Sequence, residues 1–367
     1  MKKLEVPLSG GRGYEILIGR GLLDEAGSRM KAVYHGKNIA VIADSNVAPL
    51  YAARVEESLR SAGFAVKTVI FPAGEKNKNL ATLEMLYDGL LAPAPFALTR
   101  SDLIVTLGGG VTGDMGGFAA GTLLRGIPFV QIPTTLLAQV DASVGGKVAV
   151  DLRQGKNLAG LFYQPRLVLM DPDTLDTLPE RVFLDGMGEV VKHGVIRLPA
   201  LFSMLEECPS REALRPLMEE LLYQNCDCKR QVVIEDEKEA GGRMVLNFGH
   251  TLGHAYEKLG GYQTYMHGEA VCCGMAAILH IGERQGITPR GTAARLERLL
   301  AAFGLPYKAE AVSKEALLET LSYDKKGSGS DITVVFSTGI GSTLLKKMPK
   351  AQFADWVREF CRQEGEA

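Results

Sequence analysis

The chain has 367 residues, 46% of them hydrophobic and 23% charged, with a formal net charge of −2. This near-neutral balance removes any global electrostatic reason to bind nucleic acid or an anionic membrane, so an anion site has to come from local clustering. The length exceeds what one core usually supports and predicts two domains. The opening MKKLEVPLSGG has no apolar core of signal-peptide length, and no later run reaches the roughly 18 apolar residues of a membrane span. Six cysteines, with no Cys-x-x-Cys spacing, read as reduced thiols of a cytoplasmic protein.

From Leu4 to Met170, short apolar runs alternate with amphipathic helical patterns. NIAVIADS (Asn38 to Ser45), AVKTVIF (Ala65 to Phe71), DLIVTLGGG (Asp102 to Gly110), PFVQIP (Pro128 to Pro133) and RLVLMD (Arg166 to Asp171) read as buried strands. VAPLYAARVEESLRSAG and LATLEMLYDGLLA carry helical periodicity between them. Strand–helix alternation predicts an α/β, Rossmann-like domain with a mostly parallel sheet, which binds ligands at the carboxyl ends of its strands. Gly108, Gly110 and Gly113 stand at G-x-G-x-x-G spacing after a strand and before a helix, where backbone amides can approach a pyrophosphate. The acidic ribose partner expected about twenty residues later is replaced by Pro133-Thr134-Thr135. Asp44, at an earlier strand end, is the candidate in its place, with an ordinary strand-end turn as the equal alternative. SVGGKVAVDLRQGKN then gathers Lys147, Lys156 and Asn157 among glycines.

At the Pro-, Asp- and Thr-rich connector DPDTLDTLPE the texture changes, dividing a domain at 1–176 from a mainly α-helical one at 177–367. Beyond it the segments are long and helical, with only ITVVF (Ile332 to Phe336) resembling a strand. GMGEVVKHG sets Glu189, Lys192 and His193 on one helical face. Arg243, Asn247, His250 and His254 recur at spacings of four, three and four, which places them within roughly 60° on one face of a single predicted helix. His267 opens the next helix after a Gly-Gly break. A helical histidine is commonly just a hydrogen-bonded residue, but three clustered imidazoles plus Glu189 make a Glu/His/His set that leaves a metal coordination position open. Glu189 and His193 as an i, i+4 surface pair is the competing assignment. His254, one turn from a ligand, suits proton relay. Lys192 and Arg243 share a face with the proposed ligands; with Lys229 and the Lys325-Lys326 pair they point to a carboxylate- or phosphate-bearing substrate. A nucleotide, a Lewis-acid metal and an anion pocket together suggest oxidation of a hydroxyl on an acidic, phosphorylated polyol.

The motifs PAGEKNK, GGGVTGDMGGFAAGTLLRG, PTTLLAQVDASVGGK, GKNLAGLFYQP, TLPER, GMGEVVKHG, NFGHTLGHA and MHGEAV run collinearly through the chain. On these the sequence resembles the 3-dehydroquinate synthase family over nearly its whole length. The resemblance implies NAD+ between an α/β and a helical metal domain, in a homodimer. Matching NAD positions are Asp44, Asn46, Glu75, Lys78, Gly109, Gly110, Asp114, Thr134, Thr135, Lys147, Lys156, Thr174 and Thr177. Metal ligands (zinc or cobalt) carry over to Glu189, His250 and His267. Substrate contacts carry over to Asp141, Lys147, Asn157, Lys192, Lys229, Arg243, Asn247, His254 and one of Lys325 or Lys326. Arg125 matches a residue that reaches the neighbouring subunit's site. Gly188 and His193 stand where many relatives have Ala and Tyr.

The implied reaction converts 3-deoxy-D-arabino-heptulosonate 7-phosphate to 3-dehydroquinate by transient oxidation at C5, phosphate loss, re-reduction, ring opening and an intramolecular aldol closure. Rival readings are another sugar-phosphate cyclase, whose substrate lacks the acid that Arg243 would hold, and a polyol dehydrogenase, which would accumulate NADH. A nucleotide-binding module with a structural metal is the non-catalytic alternative.

Overall fold

The computed structural model describes residues 1–239, 241–323 and 330–363. Two compact units form, Met1–Phe183 with Met218–Lys238, and Leu184–Leu217 with Glu239–Ala367.

The first unit is built on seven strands: β1 (Lys2–Val6), β2 (Tyr14–Ile18), β3 (Asn38–Asp44), β4 (Ala65–Phe71), β5 (Leu103–Gly108), β6 (Phe129–Pro133) and, after a separate hairpin, β9 (Leu167–Met170). Their order is β1-β2-β9-β6-β5-β3-β4, parallel except for β1. Every residue of β5 is buried, as a parallel strand covered on both faces requires. Ile39, Val41 and Ala43 enter one core, with the helices Ala26–Val33 and Ala53–Ser61. Ala40 and Ile42 enter the other, with the helices Leu80–Leu91 and Gly110–Thr122. Chain order reverses direction at β3 and β5, which lie side by side with Ala43 opposite Leu107. Their carboxyl ends therefore flank the crevice where open α/β sheets take ligands.

The apolar runs did not disclose every strand. β1 interleaves Lys and Glu with apolar residues because an antiparallel edge keeps one face wet, and β2 beside it is short and buried except for the half-buried Glu15. The basic stretch around Lys147 folds as an antiparallel hairpin, β7 (Lys147–Leu152) and β8 (Gly155–Phe162), with Val148 and Val150 reaching the second core.

The division between these units lies at Phe183/Leu184, where the sequence places a boundary at 176/177. It falls inside the helix Glu180–Ile196, and the helix Met218–Glu235 belongs to the α/β unit although its composition reads like the helical half. The reason is packing: that helix lies on β1, β2 and the turn Ala138–Ala142, where the Cys226 thiol donates to the Gln139 carbonyl at 3.2 Å.

The second unit is mainly helical. Its His267–Arg284 helix is buried on almost every side, so its pattern is apolar all round rather than striped. A second strand accompanies the expected one: β10 (Asp331–Gly339) pairs antiparallel with β11 (Ser342–Pro349). β11 reads poorly as a strand because most of its residues, Lys346 and Lys347 among them, are not buried. Among the described residues no helix is long and apolar enough to cross a membrane.

Candidate active site

In the first unit the glycine turn joins β5 to the helix Gly110–Thr122, with Gly109 as its N-cap. The sequence requires glycine here sterically: a Cβ on Gly108 would lie 2.4 Å from the Thr112 hydroxyl, and one on Gly113 would lie 2.9 Å from the Gln131 amide oxygen. Side chains are thereby kept off a helix N-terminus, leaving its amides able to face an anion. Thr134 follows β6 beside this turn, donating its backbone N–H to the Gly108 carbonyl at 3.0 Å. Its hydroxyl oxygen is buried with no hydrogen-bond partner, and a Cβ on Gly109 would touch Thr135 at 3.0 Å.

Asp44 ends β3. One carboxylate oxygen accepts the amides of Asn46 (2.8 Å) and Val47 (3.1 Å), and the other accepts the Thr112 hydroxyl at 2.9 Å. The turn-forming role weighed for this residue is therefore physically occupied, and it ties the end of β3 to the glycine turn. Thr174 and Thr177 lie on the short helix Pro172–Thr177, where the Tyr51 hydroxyl donates to the Thr174 carbonyl at 3.1 Å and pairs with the Thr177 hydroxyl at 2.5 Å.

A buried charge network adjoins the hairpin. Lys78 is 4% exposed; its ammonium pairs with Asp114 and donates to the Asn157 amide oxygen at 2.5 Å. Burial alone would lower the Lys78 pKa, but Asp114 and Glu75 outweigh it and raise the pKa, keeping the ammonium charged. Asn157 adopts φ +57 and donates its backbone N–H to Asp151 at 2.8 Å. Lys156 stands 3.6 Å from Glu75. Lys229, nearly buried, reaches both the carboxylate (2.7 Å) and the backbone carbonyl (2.5 Å) of Asp141. Lys147 is exposed at the start of β7. Arg125 is exposed too, held with Leu124 in left-handed backbone, φ +68 and +51.

In the second unit the residues expected on one long helix are split between two. Arg243 and Asn247 belong to the short helix Gly242–Asn247, whereas His250 opens the helix His250–Leu259. Gly249 breaks the run with φ +78, and a Cβ there would sit 2.6 Å from Met275 and 2.9 Å from the Val271 carbonyl. Close packing against the His267–Arg284 helix forces the break, and a periodicity count cannot register it.

One ligand atom from each of Glu189, His250 and His267 nevertheless lies within 4.8 Å of the others. Both histidine Nε2 atoms are 3.5 Å from the Glu189 Oε1. Glu189 is fully buried, and neither of its oxygens accepts a hydrogen bond of ordinary geometry; Lys192 stands against Oε2 as an ion pair and donates to the Leu246 carbonyl at 2.7 Å. In this low-dielectric setting the Lys192 ammonium compensates the charge on Oε2. A buried carboxylate with Lys192 against one oxygen and two imidazoles facing the other fits a divalent cation. Burial penalises the Glu189 carboxylate, but Lys192 and His267 overcome this and hold its pKa well below the usual range. Burial, reinforced by Lys192, lowers the His250 pKa to about 3, so the imidazole is neutral with a lone pair to offer. His193 is fully buried like Glu189, which removes the surface-pair reading.

Arg243 and Lys192 are each 1% exposed, whereas Asn247 and His254 are exposed. The His254 ring centroid lies 5.3 Å from that of His250 and 6.2 Å from that of His267. Two acidic neighbours escaped the sequence reading. Glu239 accepts from the Asn247 amide at 3.3 Å. Glu257, 5% exposed, places Oε1 3.6 Å from the His267 Nδ1. The signal that could have found Glu257 is its i+3 spacing from His254 on the same helix. Lys325 and Lys326 lie outside the described residues.

Comparison with known proteins shows what the whole chain is similar to. The chain matches sequence models of the 3-dehydroquinate synthase N-terminal region over residues 68–185 and the 3-dehydroquinate synthase C-terminal region over 186–327. It is 48% identical to 3-dehydroquinate synthase of Clostridium botulinum (strain Alaska E43 / Type E3), over 94% of this chain and 98% of that protein. It is 46% identical to 3-dehydroquinate synthase of Clostridium acetobutylicum, over 98% and 99%. Among solved structures, 2-deoxy-scyllo-inosose synthase complexed with carbaglucose-6-phosphate, NAD+ and Co2+ superposes with a TM-score of 0.85 at 26% identity, covering 98% of this chain and 100% of that one.

Proposed function

This chain belongs to the 3-dehydroquinate synthase family, and from that premise we propose that it acts as a phosphate-eliminating carbon–oxygen lyase on 3-deoxy-D-arabino-heptulosonate 7-phosphate, using NAD+ and one zinc or cobalt ion. When bound, NAD+ supplies a reversible hydride acceptor and the metal a Lewis acid for the oxygen at the reacting carbon. Glu189, His250 and His267 hold the metal. The amides of Gly109 and Gly110 receive the pyrophosphate, with Asp44, Asn46, Glu75, Lys78, Asp114, Thr134, Thr135, Lys147, Lys156, Thr174 and Thr177 completing the NAD+ contacts.

Arg243 offers a planar fork to the substrate carboxylate, and its burial makes that charge-assisted contact worth more than one in water. Lys147, Asn157 and Asn247 hold the phosphate, with Lys192, Lys229, Asp141 and one of Lys325 or Lys326 completing the substrate contacts. His254, exposed beside His250, carries protons between substrate and solvent. Arg125, presented by a strained turn, reaches the site of the second copy in a homodimer. All six cysteines are free thiols, which supports a cytoplasmic location.

The observation that carries this reading is the buried Glu189 with its two facing imidazoles, in a chain that matches its relatives almost end to end. The test incubates the full-length protein with NAD+, zinc and the heptulosonate phosphate. Stoichiometric phosphate release with no lasting absorbance of NADH is expected. Accumulating NADH would mark a polyol dehydrogenase. Preference for a sugar phosphate without a carboxylate would mark another cyclase and remove the role given to Arg243.

A further inference from the structure

We infer that Glu257 is a positioning residue for the metal site: its carboxylate faces Nδ1 of His267, holds the ring proton on that nitrogen and thereby commits Nε2 to the metal. The inference rests on the reading of Glu189, His250 and His267 as ligands. His267 has carboxylates on both sides, Glu189 Oε1 3.5 Å from Nε2 and Glu257 Oε1 3.6 Å from Nδ1. A neutral imidazole has one N–H and one lone pair, and its tautomer follows whichever partner accepts the proton. A cation bound by Glu189 and His250 requires the lone pair on Nε2, so the proton belongs on Nδ1, facing Glu257.

Two further observations favour an assigned role over an incidental contact. Glu257 is 5% exposed on the helix His250–Leu259, and a carboxylate is seldom buried without a partner that compensates its desolvation. His267 opens its own helix, whose first turn is pinned by Gly268 donating its N–H to Asp185 at 2.6 Å. The ring has its place fixed by the backbone, and the remaining freedom, rotation about the side chain and choice of tautomer, is what Glu257 restricts. A carboxylate behind a ligating histidine also raises the basicity of the ring.

His254, Glu257 and His267 also bring one ligand atom each within 4.8 Å of one another. The geometry therefore poses a direct alternative, in which Glu257 is itself a ligand of a second cation.

The test measures zinc affinity and stoichiometry of the metal-stripped full-length protein by competition with a chromophoric chelator, for wild type, Glu257→Gln, Glu257→Ala and Glu189→Gln. Thermal unfolding of each apo form reports folding, and the visible spectrum of the cobalt-loaded form reports ligand geometry. We expect one zinc per chain throughout the Glu257 series, with affinity weakened about 10- to 100-fold in Glu257→Ala. Glu257→Gln, whose amide oxygen can still accept a hydrogen bond from the Nδ1–H, should lose less and keep the wild-type cobalt spectrum. Should Glu257→Ala not fold, weakened binding by a folded Glu257→Gln carries the result. Unchanged affinity in both variants overturns the inference while leaving the metal site standing. Two zinc ions per wild-type chain, falling to one in Glu257→Ala, also overturn it by making Glu257 a ligand. Wild-type protein that takes up no zinc, or Glu189→Gln that binds it normally, sinks the metal reading and the positioning role with it.

Discussion

Replacing Gly268 by alanine should damage stability and metal affinity together. An ideal Cβ on this residue would lie 1.9 Å from the Asp185 carbonyl oxygen and 2.8 Å from its carbon. Close carbon–oxygen contacts run at about 3.3 Å, so the two helices must part by roughly 1 Å or more. The obstacle is backbone on both sides and cannot be relieved by a rotamer change. Overpacking of this kind costs about 1–3 kcal/mol. Parting the helices also stretches the 2.6 Å hydrogen bond from the Gly268 N–H to the Asp185 carboxylate, a bond to a charged group worth about 1.5–3 kcal/mol. Because Gly268 is in the first turn, little helix propensity is gained in return. A net loss of about 3 kcal/mol corresponds to a melting temperature lower by about 6–12 °C for a domain of this size. His267 precedes Gly268, so the same displacement carries its Nε2 away from Glu189, and zinc affinity should fall about tenfold or more. Differential scanning fluorimetry of the apo protein and chelator competition read the two effects. Gly242→Ala, whose Cβ would meet nothing within 4 Å, is the control and should change neither. Wild-type melting and wild-type zinc affinity in Gly268→Ala would refute the claim that this helix contact sets the position of His267.

Three further expectations follow from other parts of the molecule. Asp171, fully buried, accepts the backbone amides of Gly21, Leu23 and Asp173, each at 3.1 Å. Asp171→Ala should cost about 3 kcal/mol, since each buried amide left unpaired costs about 1–3 kcal/mol before the loops relax, and Asp171→Asn should cost less; a urea midpoint equal to wild type would contradict this. His254→Ala should lower turnover about 100-fold or more while NAD+ binding, followed by fluorescence quenching, stays as in wild type. Normal turnover in that variant would remove the proton-relay role. If Arg125 serves a second copy's site, then Arg125→Ala and His254→Ala proteins, each nearly inactive, should recover about a quarter of wild-type activity after subunit exchange, because half the dimers are mixed and each holds one intact site. No recovery, despite demonstrated exchange, would return Arg125 to its own chain's site or to none.

The parallel strands were readable because their residues must be apolar on both faces: the runs at Ile39–Ala43 and Leu103–Leu107 admit no other environment. The glycine turn was readable for a related reason, since Gly108 and Gly113 tolerate no Cβ against Thr112 and Gln131. The clustering of three imidazoles, which no single helical histidine would carry, likewise pointed to metal chemistry before any geometry was known. Where a segment can satisfy its chemistry in more than one way, local pattern did not decide. β1 and β11 mix charged with apolar residues as exposed strands and surface helices both do, and the helix Met218–Glu235 carries the same amphipathic code whichever unit it joins.

By itself, then, the sequence determined the chemistry available and the elements whose burial leaves one solution, a parallel sheet and a glycine-capped helix, while Glu189, His250 and His267 entered as the ligand set that the family resemblance implies. Only the tertiary structure decided that Gly249 breaks the run from Arg243 to His254, and that a buried Glu257 stands behind His267. Both depend on which backbone approaches which. A close approach between segments distant along the chain leaves no period in the sequence of either one.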